Sequence, residues 1–180
     1  DKDEIVVEKE DRIYKICKIN QMPLCLQGAL LYNAENAMAA CGALIGASVD
    51  YCMITKGLTT FKGDEEGNPG RFNVYNYNGY KLILDYGHNI EGYKAVLKSA
   101  RSLQHNRLVG IIGVPGDRMD ESIYQVGKIS GEFLDYIYIK EDMEKRGRKK
   151  GEIAKLLLKG VKLNKAKSKK CEIILDEVEA

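Results

Sequence analysis

The feature that most limits how this chain can fold is an alternation of two kinds of segment that begins near residue 81. Short apolar runs, KLILD (81–85), LVGII (108–112), YIYI (136–139) and CEIIL (171–175), are separated by longer amphipathic stretches. Over about 90–101, Ile90, Tyr93, Val96, Leu97 and Ala100 recur at helical spacing. Ile123, Val126 and Ile129 do so over about 120–132, and Ile153, Leu156 and Leu157 over about 150–159. Short apolar strands separated by amphipathic helices make βαβ units, so this part reads as α/β with a mostly parallel sheet and flanking helices.

Upstream the pattern differs. IYKICKI (13–19) reads as a strand and Met22-Pro23 as a turn. Asn33–Ala47 is rich in Ala, Leu and Met, which favour helix, with Asn33 as its N-cap and Gly46 as its stop. Ala37, Ala40, Cys41, Leu44 and Ile45 would face a core. KGDEEGNPG (62–70) has no large apolar residue, and a domain boundary is expected there, dividing the chain into 1–60 and 61–180. After it, Phe72–Tyr77 and Tyr80–Asp85 are joined by Asn78-Gly79, a strong hairpin signal.

Composition removes several classes. With 44% hydrophobic and 30% charged residues, 18 Gly and 3 Pro, the chain is neither disordered nor collagen-like. No apolar run approaches the roughly 20 residues of a membrane span, and no signal-peptide pattern opens the chain, so no membrane partner is expected. The five cysteines form no CxxC pair, which argues against a disulfide framework or a zinc site; a reducing cytoplasm is the expected setting. A net charge of +2 does not point to nucleic acid. That total hides an uneven distribution. Residues 1–11 carry six acidic side chains, and residues 140–170 carry thirteen Lys and Arg.

In an open α/β sheet, ligands bind beyond the carboxyl ends of the strands. Three successive expected strand ends here run into DYGHN (85–89), GVPGDR (113–118) and KEDMEKRGRKKGE (140–152). A polar site at one sheet edge follows. Each residue also has a plainer reading: His88 as a core or capping histidine, Asp85, Asn89, Asp117 and Asp120 as helix caps, and RGRKKGE as solvated charge. No GxxxxGK[ST] phosphate loop occurs in the chain.

These residues carry a resemblance. GALLYNAENAMAACGAL (28–44), Gly70-Arg71 and LDYGHNIEGYKAVL (84–97), followed by GVPGDRMDESI (113–123) and IKEDMEKRGRKKGE (139–152), resemble the Mur ligase family across about residues 24–160. Tyr32 stands where the family more often has His, Gly87 where it has Ala and Ile90 where it has Pro. The resemblance implies a Rossmann-like C-terminal domain over 61–180, preceded by the trailing part of a central ATPase domain. It also implies ATP and Mg²⁺, with the metal ligands outside this chain, and an amide formed through an acyl phosphate.

By position, the resemblance assigns Asn33, Arg71, Asp85 and Asn89 to nucleotide binding, and Arg71, His88 and Arg118 to catalysis. The last two motifs resemble a branch that adds arginine to the β-carboxylates of an aspartate polymer. Lys140, Glu141, Asp142, Arg146, Arg148 and Glu152 would then receive the incoming amino acid. Glu141, Asp142 and Glu152 suit its guanidinium, and Arg146 or Arg148 its carboxylate. The expectation is a fragment, inactive alone, of a ligase that is a homo-oligomer at full length. Two alternatives stay open: another family member acting on a cell-wall precursor or folylpolyglutamate, and a non-enzymatic α/β ligand-binding module.

Overall fold

The computed structural model describes residues 3–164 and 170–180. It divides into two compact units, Asp1–Tyr86 and Gly87–Ala180.

The second unit is the βαβ series. Strands β5 (Val109–Ile112), β6 (Tyr136–Ile139) and β7 (Lys170–Ile173) pair in parallel in that order. Helix α4 (Asp120–Phe133) lies between β5 and β6 in the chain, and α5 (Glu152–Val161) between β6 and β7; α3 (Ile90–Ser102) precedes the sheet. Alternation decides what β6 buries: Ile137 and Ile139 are fully covered while Tyr136 and Tyr138 are half-buried on the other face. Ile112, Ile137 and Ile139 form one core with Leu97 of α3, Ile123 and Val126 of α4, and Ile153, Leu157 and Val161 of α5. On the opposite face, Val109 and Ile111 stay exposed, and cations cover the two tyrosines, Arg107 over Tyr136 at 4.9 Å and Lys170 over Tyr138 at 5.7 Å.

Helices α4 and α5 touch backbone to backbone. A Cβ on Gly127 would strike the Leu157 carbonyl oxygen, and one on Gly160 the Tyr124 carbonyl oxygen. Two glycines are what allow this approach.

The first unit holds two antiparallel hairpins and two helices. β1 (Glu4–Lys9) pairs with β2 (Arg12–Lys18) around a tight turn in which Glu10 and Asp11 both have positive φ (50° and 59°). Helix α1 spans Leu31–Gly46 and α2 spans Tyr51–Thr60. Asp50 caps α2 by accepting from Cys52 N at 2.7 Å. Thr55 Oγ1 fastens α2 to β2 by donating to Ile16 O at 2.9 Å, and Tyr14 and Tyr51 meet edge to face at 5.2 Å. The core is small and rich in thiols: Ile5, Ile16, Cys17, Met22, Cys25, Ala34, Ala37, Cys41 and Ile54.

Four details differ from the sequence expectation. Asn33 is inside α1 and buried; the N-cap is Leu30, which makes no side-chain cap bond. The buried stripe of α1 is Asn33, Ala34, Ala37 and Cys41, so Ala40 and Leu44 face outward. β1 and α2 are additional elements. The run at 81–85 forms β4 (Tyr80–Leu84), which pairs antiparallel with β3 (Asn73–Tyr77) through the expected Asn78-Gly79 turn. Among the described residues it is not a strand of the parallel sheet.

Candidate functional site

The sequence-selected residues fall into two groups, one in each unit. In the first unit, the turn before β3 has Gly70 and Phe72 at positive φ (69° and 51°), with Arg71 between them. The end of β4 closes on this turn. Asp85 Oδ2 accepts from Phe72 N at 2.9 Å, and Tyr86 N donates to Gly70 O at 2.8 Å. Arg71 and Asp85 therefore stand at the base of one hairpin, with the Arg71 guanidinium 5.8 Å from the centre of the Tyr86 ring.

Tyr32 belongs to the same surroundings. Burial pushes its phenol up, the Asp85 charge adds to this and the Arg71 charge opposes it. Asn33 has its amide engaged internally: Nδ2 donates to Leu24 O at 2.9 Å, and Oδ1 accepts from Asn36 at 3.3 Å. Sequence reasoning missed Asn73. It is 2% exposed, accepts from Gly70 N at 2.6 Å and donates to Gly63 O and Asn68 O at 3.1 Å, which fixes the loop carrying Arg71.

In the second unit, His88 and Asn89 precede α3. Asn89 caps that helix, its Oδ1 accepting from Gly92 N at 2.7 Å. Both line a cavity of about 390 Å³ together with Arg118 and Ser122, over a floor that includes Val114 and Ile123. Tyr93 of α3 donates its hydroxyl proton to Gly113 O at 2.6 Å, tying the helix to the loop after β5. His88, Asn89 and Arg118 are thus brought together around one opening.

The loop after β6 is built largely from internal pairs. Lys140 Nζ meets Asp142 at 2.6 Å and Glu177 at 3.3 Å. Burial disfavours the Lys140 ammonium, but its two carboxylate partners hold the proton more strongly and the pKa rises. Glu141 is 5% exposed, and its carboxylate accepts from Gly151 N at 2.8 Å and Ala154 N at 3.0 Å, closing the N-terminus of α5. Both carboxylate oxygens already accept a main-chain N–H, and burial closes them to a guanidinium arriving from solvent.

Arg146, at φ 47°, pairs with Asp117 at 2.7 Å, and that hydrogen bond holds the Asp117 carboxyl below its usual range. Arg148 is turned inward, with a side-chain exposure of 16%. Glu152 accepts from Lys149 N at 3.1 Å and Arg148 Nη1 at 2.8 Å; together these lower its pKa. Among the described residues no cluster of His, Cys, Asp or Glu could hold a metal ion. Within the same residues no helix is long and apolar enough to cross a membrane.

This arrangement can be set beside known proteins. Residues 70–180 match the family described as Mur ligase, glutamate ligase domain. The chain belongs to the Mur ligase family. Among Mur ligase relatives, it is 36% identical over 174 residues (97% of this chain) to cyanophycin synthetase from Nostoc sp., and covers 19% of that protein. It is 40% identical over 159 residues (88% of this chain) to cyanophycin synthetase from Crocosphaera subtropica, covering 18% of it. The chain thus spans about one fifth of the length of these curated relatives. Among solved Mur ligase structures, MurF from Acinetobacter baumannii matches with a TM-score of 0.57 and 22% identity, over 89% of this chain and 30% of that one. This likeness supports the fold.

Proposed function

We propose that this chain carries the C-terminal domain and the end of the central domain of a cytoplasmic, ATP-dependent amide-forming ligase. The ligase adds arginine to the β-carboxylates of an aspartate polymer through an acyl phosphate. The observation that carries the reading is identity of 36–40% to cyanophycin synthetases over most of the chain. The charge geometry is compatible with it. Arg71, beside Asp85 at the hairpin base, is offered to a nucleotide phosphate, and Asp85 to its ribose. Asn89 orients the start of α3, and His88 faces the same cavity as Arg118. Arg118, at a side-chain exposure of 41%, is available to stabilise charge on a departing phosphoryl group. The Mg²⁺ that such chemistry uses would be held by residues outside this chain.

The six loop residues divide by exposure. Arg146 and Asp142 face solvent enough to meet the incoming arginine, Arg146 at its carboxylate and Asp142 at its guanidinium. Lys140 restrains Asp142, and Glu141, Arg148 and Glu152 shape the loop. The full-length ligase, supplied with ATP, aspartate polymer and arginine, should release phosphate only when arginine is present. Arg146→Ala should raise the KM for arginine about tenfold while leaving the KM for ATP unchanged, the loss expected for one charge-assisted contact. Phosphate release that ignores arginine would sink the assignment. The isolated chain, without a phosphate loop, should not turn over ATP.

A further inference from the structure

The tripeptide Arg146-Gly147-Arg148 places two arginines on opposite duties. Left-handed backbone at Arg146 and Gly147 (φ 47° and 87°) sends Arg146 out to Asp117 and turns Arg148 in. Each of the three side-chain nitrogens of Arg148 is engaged. Nε donates to Gly116 O at 2.7 Å and Nη2 to Arg118 O at 2.6 Å; Nη1 meets Asp120 at 2.7 Å and Glu152 at 2.8 Å. The partners lie in three segments: the loop after β5, the first residue of α4 and the first residue of α5.

We propose, on the reading of Arg118 given above, that Arg148 is a positioning residue: it grips the main chain on both sides of Asp117 and so sets where the Arg118 side chain stands at the cavity. The close fit of the two loops supports this, since a Cβ on Gly116 would collide with the Lys145 carbonyl oxygen. The 145–148 turn, closed by Arg148 N donating to Lys145 O at 3.0 Å, therefore sits directly on the loop it holds. Arginine suits the task because its donors are fixed in a planar fork that can reach two carbonyl oxygens and two carboxylates at once. The lysine ammonium is a point charge that cannot span them. Arg118 itself lines the cavity with His88 and Asn89, so a shift of its main chain moves a charge relative to reacting atoms. Errors of about 1 Å in such placements cost about a hundredfold in rate.

The test is a double-mutant cycle in the full-length ligase. Arg118→Ala should lower kcat about a hundredfold, as loss of one transition-state charge partner does. Arg148→Met, which keeps the apolar stem and removes the donors, should lower kcat to a similar extent. The KM for arginine should change less than about threefold, and Arg148→Lys should not restore the rate. The double variant should be no slower than the slower single, because both act through one group.

Asp120→Asn loosens the same guanidinium from its exposed side. It gives a milder loss that also vanishes in the Arg118→Ala background, and covers the case in which Arg148→Met does not fold. Losses that multiply in the double variants would overturn the positioning role. So would an Arg148→Met enzyme with normal kcat and a tenfold higher KM for arginine, which would make Arg148 a substrate contact. If Arg118→Ala keeps full kcat, the role given to Arg118 falls, and the inference with it. If Arg118→Ala is slow but shows no coupling to Arg148, only the inference falls.

Discussion

The two units build their interiors from different materials. Unit 2 buries Ile112, Ile123, Ile137, Ile139, Ile153, Leu97, Leu134, Leu157, Val114, Val126 and Val161 in one continuous cluster. The unit 1 cluster relies on three thiols, two alanines and Met22 alongside Ile5, Ile16 and Ile54, with Leu30 and Phe72 buried outside it, while Met38, Met53 and Phe61 on or beside its helices stay exposed (51%, 61% and 44%). Each fully buried branched aliphatic contributes about 1.5–3 kcal/mol. Unit 2 should therefore be the more stable of the two, and unit 1 has more apolar helix surface left uncovered. A unit with a large aliphatic core can hold a polar loop rigid over a cavity. In unit 1 the hairpin's site residues are fixed locally, by Asn73 and by main-chain bonds.

Four measurements can break or sharpen that contrast. The largest effect is expected from Leu157→Ala, at a site with no exposure: about 2–5 kcal/mol lost from the unit 2 transition in calorimetry. Cys41→Ala in unit 1 should cost about 1 kcal/mol, and a common shift of both units would refute independent cores. Next, Gly127→Ala should cost about 1–3 kcal/mol, since its methyl would meet the Leu157 carbonyl oxygen and push α4 from α5.

A smaller effect concerns pH. Burial pushes the Cys25 thiol up to about 11 and raises Cys17 and Cys41 as well. An unfolded thiol ionises near about 8.5. Between those values the unfolded state releases the proton and the folded state does not, so unit 1 stability should fall as pH rises through that window. Urea midpoints at neutral and alkaline pH would measure the fall, and Cys25→Ala should flatten it. Smallest are the caps: Asp50→Ala in unit 1 and Asn89→Ala in unit 2 should each cost about 1 kcal/mol. Equal losses at the two caps would mean the units differ in core composition rather than in helix termini.

The second unit was more legible in the sequence than the first, for physical reasons. Its strands and helices alternate between two distinct periods, and α3, α4, α5, β5 and β6 appear close to where apolar spacing puts them. The Asn78-Gly79 turn was legible because both residues tolerate positive φ. The β1–β2 turn was not, since Glu10 and Asp11 adopt the same conformation without glycine, inside a stretch that reads as solvated charge. Helix α2 contains Thr55, Gly57, Thr59 and Thr60, poor helix formers; its cap at Asp50 and the burial of Ile54 hold it.

At the candidate site, composition indicated the loops but not the direction of each side chain. Glu141 had a usable signal: Ile137 and Ile139 point inward on β6, and the same parity carried two residues further puts Glu141 inside. Arg146 and Arg148 had none. Which of them turns inward depends on Gly116, far away in the chain, lacking a side chain where the Lys145 carbonyl must sit.

The glycine contact between α4 and α5 has a mechanical consequence. With main chain against main chain at Gly127 and Gly160, no side-chain layer separates the two helices at those points, and they are joined as one plate. The same end of that plate carries Ser122 and Ile123, which line the cavity, and Asp120 and Glu152, which together receive the Arg148 guanidinium. The cavity and the arginine-rich loop are therefore anchored to one and the same end of the helix pair.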